Sequence, residues 1–73
     1  MANAKKILEK MKANPKDWRI DKLKTVATAH NVTWRQKGSH VIFADEYGET
    51  LPVPAKRPIK PVYIKMFVAF IEG

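Results

Sequence analysis

The fold is decided by residues 32–53, VTWRQKGSHVIFADEYGETLPV, which predict three short β-strands joined by two turns. Residues 32–37 alternate in the period-two pattern that is typical of a half-buried strand. After the turn Gly38-Ser39, residues 40–44 form a second strand rich in β-branched and aromatic residues. Pro52 lies in the third strand. Because proline cannot donate to a β-ladder, this strand is predicted at the edge of the sheet.

Helices are predicted on both sides of the strands. Residues 3–13 carry apolar side chains at helical spacing among lysines, and a second amphipathic pattern runs from about Asp21 to His30. Asn31 follows at the position where a left-handed residue often ends a helix. Pro61 suits the first position of a final helix. The apolar stripe of that helix consists of Ile64, Phe67, Val68 and Ile71.

The predicted order of elements is therefore ααβββα, an α+β fold in which a three-stranded antiparallel sheet packs on helices. The 73 residues are expected to form a single domain, 1–73. Residues 1–16 would add an N-terminal helix to an αβββα unit at 17–73. That shorter order is the order of double-stranded-RNA-binding domains, although a fold does not determine a function.

Composition favours an anionic partner. Fourteen Lys and Arg residues against seven Asp and Glu residues give a net charge of +7. Such an excess attracts nucleic acid, although a merely soluble surface is the alternative interpretation. Cysteine is absent, so disulfides and thiolate metal sites are not expected. We expect neither a signal peptide nor a membrane contact, and hence a cytoplasmic protein.

The positive charge is expected at one end of the sheet. In a three-stranded meander, the turn Gly38-Ser39 and the acidic turn (residues 45–49) lie at opposite ends, and the third strand returns toward the first end. The basic side chains and the histidine gathered there are Arg35, Lys37, His40, Lys56, Arg57 and Lys60. The N-terminus of the last helix lies nearby, and its partial positive charge suits phosphate.

His40 is the candidate for proton transfer. RNA carries its own nucleophile, the 2′-hydroxyl, so its cleavage requires only proton transfer and cations around the phosphorane. Histidine titrates near neutral pH. A lone strand histidine can instead be structural or simply exposed, and for His30, in the last helical turn, a capping role is favoured. A hydrolytic pair of Ser39 with His40 is not expected, because adjacent strand residues point to opposite faces.

No metal or cofactor is expected. The two histidines lie on different elements, and the spacing of the carboxylates does not resemble a zinc site. The sequence also contains no glycine-rich loop for a nucleotide phosphate.

The run Arg35-Gln36-Lys37-Gly38-Ser39-His40, followed by the apolar strand to Phe43, resembles the signature stretch of the HicA family of bacterial toxins. In that family a Gly-Ser-His run opens the second strand, and its histidine is required for cleavage. Residues 51–54 are similar to the family's third strand, and residues 59–71 resemble its lysine-proline start of the closing helix. The resemblance covers about residues 15–73.

Two features depart from the family. Val41 stands where many relatives have a second histidine. Its side chain would face the other side of the strand, so we expect the catalytic group to remain and an RNA contact to be lost. The helix at residues 3–13 is additional.

The resemblance implies a double-stranded-RNA-binding-like fold and a metal-independent endoribonuclease that cleaves mRNA, arrests growth and is neutralised by a HicB antitoxin in a hetero-oligomer. His40 would be its catalytic residue. The residues expected to bind RNA are Arg35, Lys37, Gly38, Ser39, Lys56, Arg57 and Lys60. A non-catalytic RNA-binding module that uses the same basic end, or a protein-interaction domain with incidental charge, remain as alternatives.

The last helix is apolar over a wider arc than its core stripe. Tyr63, Met66 and Phe70 follow at steps of three and four residues. A helix of this kind either packs between layers or meets a partner. The N-terminal helix could cover these side chains, and an antitoxin or dimer contact is the equal alternative. All three are therefore candidate partner-binding residues.

Overall fold

The order ααβββα is confirmed by a computed structural model, which describes residues 4–55 and 59–73. In chain order the elements are α1 Ala4–Ala13, α2 Ile20–Ala29, β1 Thr33–Lys37, β2 His40–Ala44, β3 Thr50–Pro54 and α3 Pro61–Glu72. Helix α2 begins and ends one residue earlier than predicted. Asn31 follows it with a φ of 60°, the left-handed conformation expected at that position.

β2 is the central strand of an antiparallel sheet with the order β1-β2-β3. The turn Gly38-Ser39 joins β1 to β2 and places Lys37 opposite His40. Gly38 has a φ of 61°, a conformation that glycine adopts without steric cost. Within residues 4–55 and 59–73, β3 pairs only with β2, which confirms the edge position predicted from Pro52.

The hydrophobic core lies between one face of the sheet and the helices. Val41 and Phe43 of β2 are buried on this face together with Leu51 and Val53 of β3. The Phe43 ring packs on Phe67 of α3, with ring centroids 5.0 Å apart and planes inclined by 60°. Tilted pairs of this kind are favourable for aromatic rings. Phe67, in the predicted apolar stripe of α3, thus contacts the sheet.

The N-terminal helix is part of the same core. α1 packs against both α2 and α3 and buries Leu8 and Met11. Its last turn is joined to the end of α3 by an ion pair, with Lys12 Nζ 2.7 Å from Glu72 Oε2. The Glu72 carboxylate raises the pKa of Lys12 by accepting this hydrogen bond and through its charge. α1 therefore packs on α3, although Met66, one of the three side chains that it was expected to cover, is 45% exposed.

The prediction that β1 is half-buried is wrong. All five of its side chains are exposed, including Trp34, which is 38% accessible. No side chain of β1 belongs to the hydrophobic core, whereas β3, which is also an edge strand, buries Leu51 and Val53. The buried apolar residue of this segment is Val32, which precedes the strand. β1 is thus an edge strand whose five side chains are all exposed.

The segments that lead into α2 and α3 are joined by an isolated β-bridge. The Ile59 N–H donates to the Trp18 carbonyl at 2.9 Å. The indole N–H of Trp18 in turn donates to the Asn14 carbonyl at 2.6 Å. These bonds hold the start of α3 against the helical layer. Within the two described ranges, every helix is too short to cross a membrane.

Candidate functional site

His40 is the first residue of β2 and directly follows the turn Gly38-Ser39. Its side chain is exposed, whereas those of Val41 and Phe43 are buried. Because successive side chains of a strand alternate, His40 lies on the sheet side opposite to Val41. The end of the sheet thus presents an imidazole to solvent.

A cleft of about 290 Å³ opens beside His40. The residues that line it are Ser39, His40, Pro54, Ile59, Lys60 and Tyr63. One wall is formed by the end of the β1–β2 turn and the first residue of β2, and the other by the start of α3. A histidine, a lysine and a tyrosine, which carry groups able to transfer protons or to hold a negative charge, therefore line one space.

Ser39 corrects one expectation from the sequence. Its hydroxyl lies 3.4 Å from Nδ1 of His40, so the two side chains do not point to opposite faces. The alternation rule fails here because Ser39 belongs to the turn and not to the strand. The contact is long for a hydrogen bond, and it leaves Nε2 of His40 without a hydrogen-bond partner among the described residues. Ser39 is therefore placed to orient the ring.

The predicted basic residues divide into three groups. Lys60 lines the cleft, and Lys37 lies directly across the ladder from His40. Arg35 is paired with Ile42, further along the sheet, and lines a separate hollow on the exposed face. Lys56 and Arg57 lie outside the described residues. Of the predicted RNA-binding set, the structure thus brings Lys37, Ser39 and Lys60 to His40.

Helix α3 adds a partial charge to the cleft. Pro61 occupies its first turn as predicted, and Lys60 is its N-terminal capping residue. Among the residues that the structure describes, no side chain caps this helix start, and its first turn contains no acidic residue. The positive end of the helix dipole is therefore not neutralised locally, and it adds to the field of Lys60.

The opposite end of the sheet is acidic, as predicted. Asp45 follows β2 directly, and its Oδ1 accepts the N–H groups of Tyr47 and Glu49 at 2.9 Å each. These bonds close the acidic turn. Since β2 runs from His40 to Ala44, the carboxylates and the cleft are separated by the length of the strand.

The three candidate partner-binding residues have different surroundings. Tyr63 is half-buried and lines the His40 cleft, a position that the sequence analysis missed. The spacing of the sequence could have indicated this position, because Tyr63 lies three residues after Lys60 and therefore on the same side of α3. Phe70 is half-buried and packs against the core, whereas Met66 is 45% exposed. Met66 is thus the most accessible of the three.

Within residues 4–55 and 59–73, no three His, Asp or Glu side chains come together as a metal site would require. Comparison with protein-family models, with curated proteins and with solved structures finds no match to this chain. The residues of the cleft and the resemblance of residues 35–40 are therefore the features that indicate a function.

Proposed function

We propose that the chain is a metal-independent endoribonuclease of the HicA type, a toxin that cleaves mRNA in the cytoplasm with His40 as its catalytic residue. The observation that carries the proposal is the cleft, where His40, Lys60 and Tyr63 line one space of about 290 Å³. A polyanion is the substrate that a chain of net charge +7 attracts.

The reaction needs two proton transfers. The RNA 2′-oxygen attacks the adjacent phosphorus and loses its proton to a base, while the bond from phosphorus to the 5′-oxygen breaks and that oxygen gains a proton. His40 carries out one of these transfers from Nε2, since Ser39 lies beside Nδ1. Tyr63 lines the same cleft, and its hydroxyl is the candidate for the other transfer.

Cations stabilise the charge that develops on the phosphorane. Lys60 and Lys37 are the nearest candidates, from the cleft wall and from the ladder position opposite His40. Arg35 extends the basic surface along the open face of the sheet and is suited to a neighbouring phosphate. Lys56 and Arg57, which the sequence also assigns to RNA binding, belong to the segment between β3 and α3.

A HicB-type antitoxin is the proposed protein partner, and the complex would be a hetero-oligomer. Met66 and the neighbouring Val62 are 45% and 55% exposed on α3. They give a partner apolar contacts beside Tyr63 and the cleft. An antitoxin seated there would cover His40, which explains how it would neutralise the toxin. Phe70 would contribute a smaller contact to the antitoxin, because its side chain is already half-buried.

The test is a cleavage assay with a long RNA and the purified chain in the presence of a chelator. We expect the RNA to be cut, and DNA of the same sequence to stay intact because it has no 2′-hydroxyl. If the chain cuts neither polymer but retains the RNA, the non-catalytic binding module is the better description. Cleavage of both polymers would contradict a mechanism that depends on the 2′-hydroxyl.

Charge reversal should localise the RNA-binding surface. We expect Lys37→Glu combined with Lys60→Glu to weaken RNA binding and to reduce the slope of log affinity against log salt by about 1.4, since each phosphate contact to a single strand contributes about 0.7. The matched control, Lys5→Glu with Lys10→Glu, makes the same charge change on the exposed side of α1. Equal losses from the two pairs would show a diffuse attraction without a localised site.

A further inference from the structure

The two edges of the sheet differ in whether they can accept another strand. β3 carries Pro52 and Pro54, which have no N–H to donate. β1 contains no proline, and all five of its side chains are exposed. Among the described residues, no strand pairs with its outer edge. An open edge of this kind is a template for strand addition.

The register identifies the main-chain groups that are available on β1. The Asp45 N–H, at the end of β2, donates to the Glu49 carbonyl at 3.0 Å, and at the other end the Ser39 carbonyl accepts the Ala55 N–H at 2.9 Å. The main-chain groups of both residues that flank β2 therefore point to the β3 side. Because these groups alternate along a strand, those of His40 and Ile42 point toward β1. Their ladder partners are Lys37 and Arg35, whose main-chain groups therefore point toward β2. The main-chain groups of Gln36 and Trp34, which alternate with these along β1, point outward.

The charges on this edge discriminate between possible occupants. Arg35 and Lys37 flank Gln36, and β1 contains no carboxylate. A second copy of this chain, paired through β1, would bring like charges together and be disfavoured. An acidic strand would instead place its carboxylates against these cations. The net charge of +7 also favours an acidic partner over a second copy of the chain.

A hollow at the start of β1 provides room for an apolar side chain. It has a volume of about 490 Å³ and lies next to the exposed Trp34. The residues that line it are Thr28, Asn31, Val32, Thr33 and Trp34. Because Thr33 and Trp34 of β1 line this hollow, it offers space beside the strand for an apolar residue of an added strand.

We propose that β1 binds an extended acidic segment of a partner protein as a fourth strand of the sheet, through the main-chain groups of Trp34 and Gln36. Alternating carboxylates on that segment pair with Arg35 and Lys37. The inference goes beyond the proposed ribonuclease function and does not depend on it, because it uses the outer edge of β1 and not His40.

The probe is a fluorescein-labelled hexapeptide of alternating Glu and Val with blocked ends, titrated against the full chain by fluorescence anisotropy. We expect binding that weakens as salt rises from about 50 to 200 mM, and slower hydrogen exchange at the amides of Trp34 and Gln36. A matched peptide of alternating Lys and Val should not bind. Equal binding of the two peptides, or no binding of the acidic one, would overturn the proposal.

Gln36 offers a matched pair of variants. Both Gln36→Pro and Gln36→Ala remove the side-chain hydrogen bond to the Gly38 carbonyl. Only Gln36→Pro removes the outward N–H, at an edge position where proline is tolerated. We expect Gln36→Pro to weaken peptide binding at least about tenfold and Gln36→Ala to leave it nearly unchanged.

A second comparison does not depend on the folding of a variant. When two adjacent central residues of the acidic peptide are N-methylated, the peptide keeps its charge. It loses one main-chain N–H donor on each of its two edges, because adjacent residues of a strand point to opposite edges. We expect it to bind the unaltered chain at least about tenfold more weakly than the parent peptide. Equal affinity of the two peptides would show attraction by charge alone, without strand addition.

Discussion

His40→Ala is expected to reduce the rate of RNA cleavage by about 10²–10⁴-fold, the usual contribution of a general acid or base. All lysine and arginine side chains remain in place, so the affinity for RNA should change little. Because the imidazole is exposed at the start of β2, its loss should cost at most about 1 kcal/mol of folding stability. Cleavage, RNA binding and thermal unfolding should be measured on the same preparation.

His30→Ala is the matched control. His30 is also exposed, but it ends α2, away from the cleft. We expect this variant to cleave RNA at the original rate with a small change in stability. A folded His40→Ala protein that cleaves at the original rate would falsify the catalytic assignment. Loss of folding in His40→Ala would equally contradict it and would support the structural interpretation of this histidine.

Phe67→Ala should destabilise the fold by about 3–5 kcal/mol, the usual cost of removing a buried phenylalanine ring. Phe67 is fully buried and contacts Phe43 at a centroid distance of 5.0 Å, so its removal leaves a cavity between α3 and the sheet. Domains of this size are stable by about 0.05–0.15 kcal/mol per residue, so much of the total would be lost. Urea unfolding followed by tryptophan fluorescence measures the change.

Phe70→Ala makes the same substitution one turn further along α3. Phe70 is half-buried, so we expect a loss of about 1 kcal/mol. An equal loss of stability in both variants would contradict the account, because it would show that Phe67 contributes no more than Phe70 to the packing of α3 on the sheet. If Phe67→Ala lost less than Phe70→Ala, the assignment of the core stripe would be wrong.

The elements of this fold could be predicted because local signals are strong. Pro52 indicated an edge strand, and Gly38 indicated the turn whose positive φ it supplies. Pro61 marked the start of α3. Each of these signals comes from the conformational limits of a single residue, so no knowledge of tertiary contacts was needed.

The features that were missed depend on what lies next to an element. Alternation along β1 predicted partial burial, but burial depends on what packs on the face of a strand, and no side chain of β1 belongs to the core. The position of Tyr63 beside His40 depends on how α3 is placed against the sheet. The contact of Ser39 with the imidazole depends on turn geometry, where strand alternation does not apply. Packing and turn geometry of this kind are not encoded in residue periodicity.

The chemical ends of the cleaved RNA test the central claim most directly. The purified chain is incubated with a defined RNA and a chelator, and the products are analysed by mass spectrometry. Attack by the 2′-oxygen, with His40 transferring a proton, predicts a 2′,3′-cyclic phosphate on one fragment and a 5′-hydroxyl on the other. Fragments with a 3′-hydroxyl and a 5′-phosphate, or RNA that remains intact, would contradict this account.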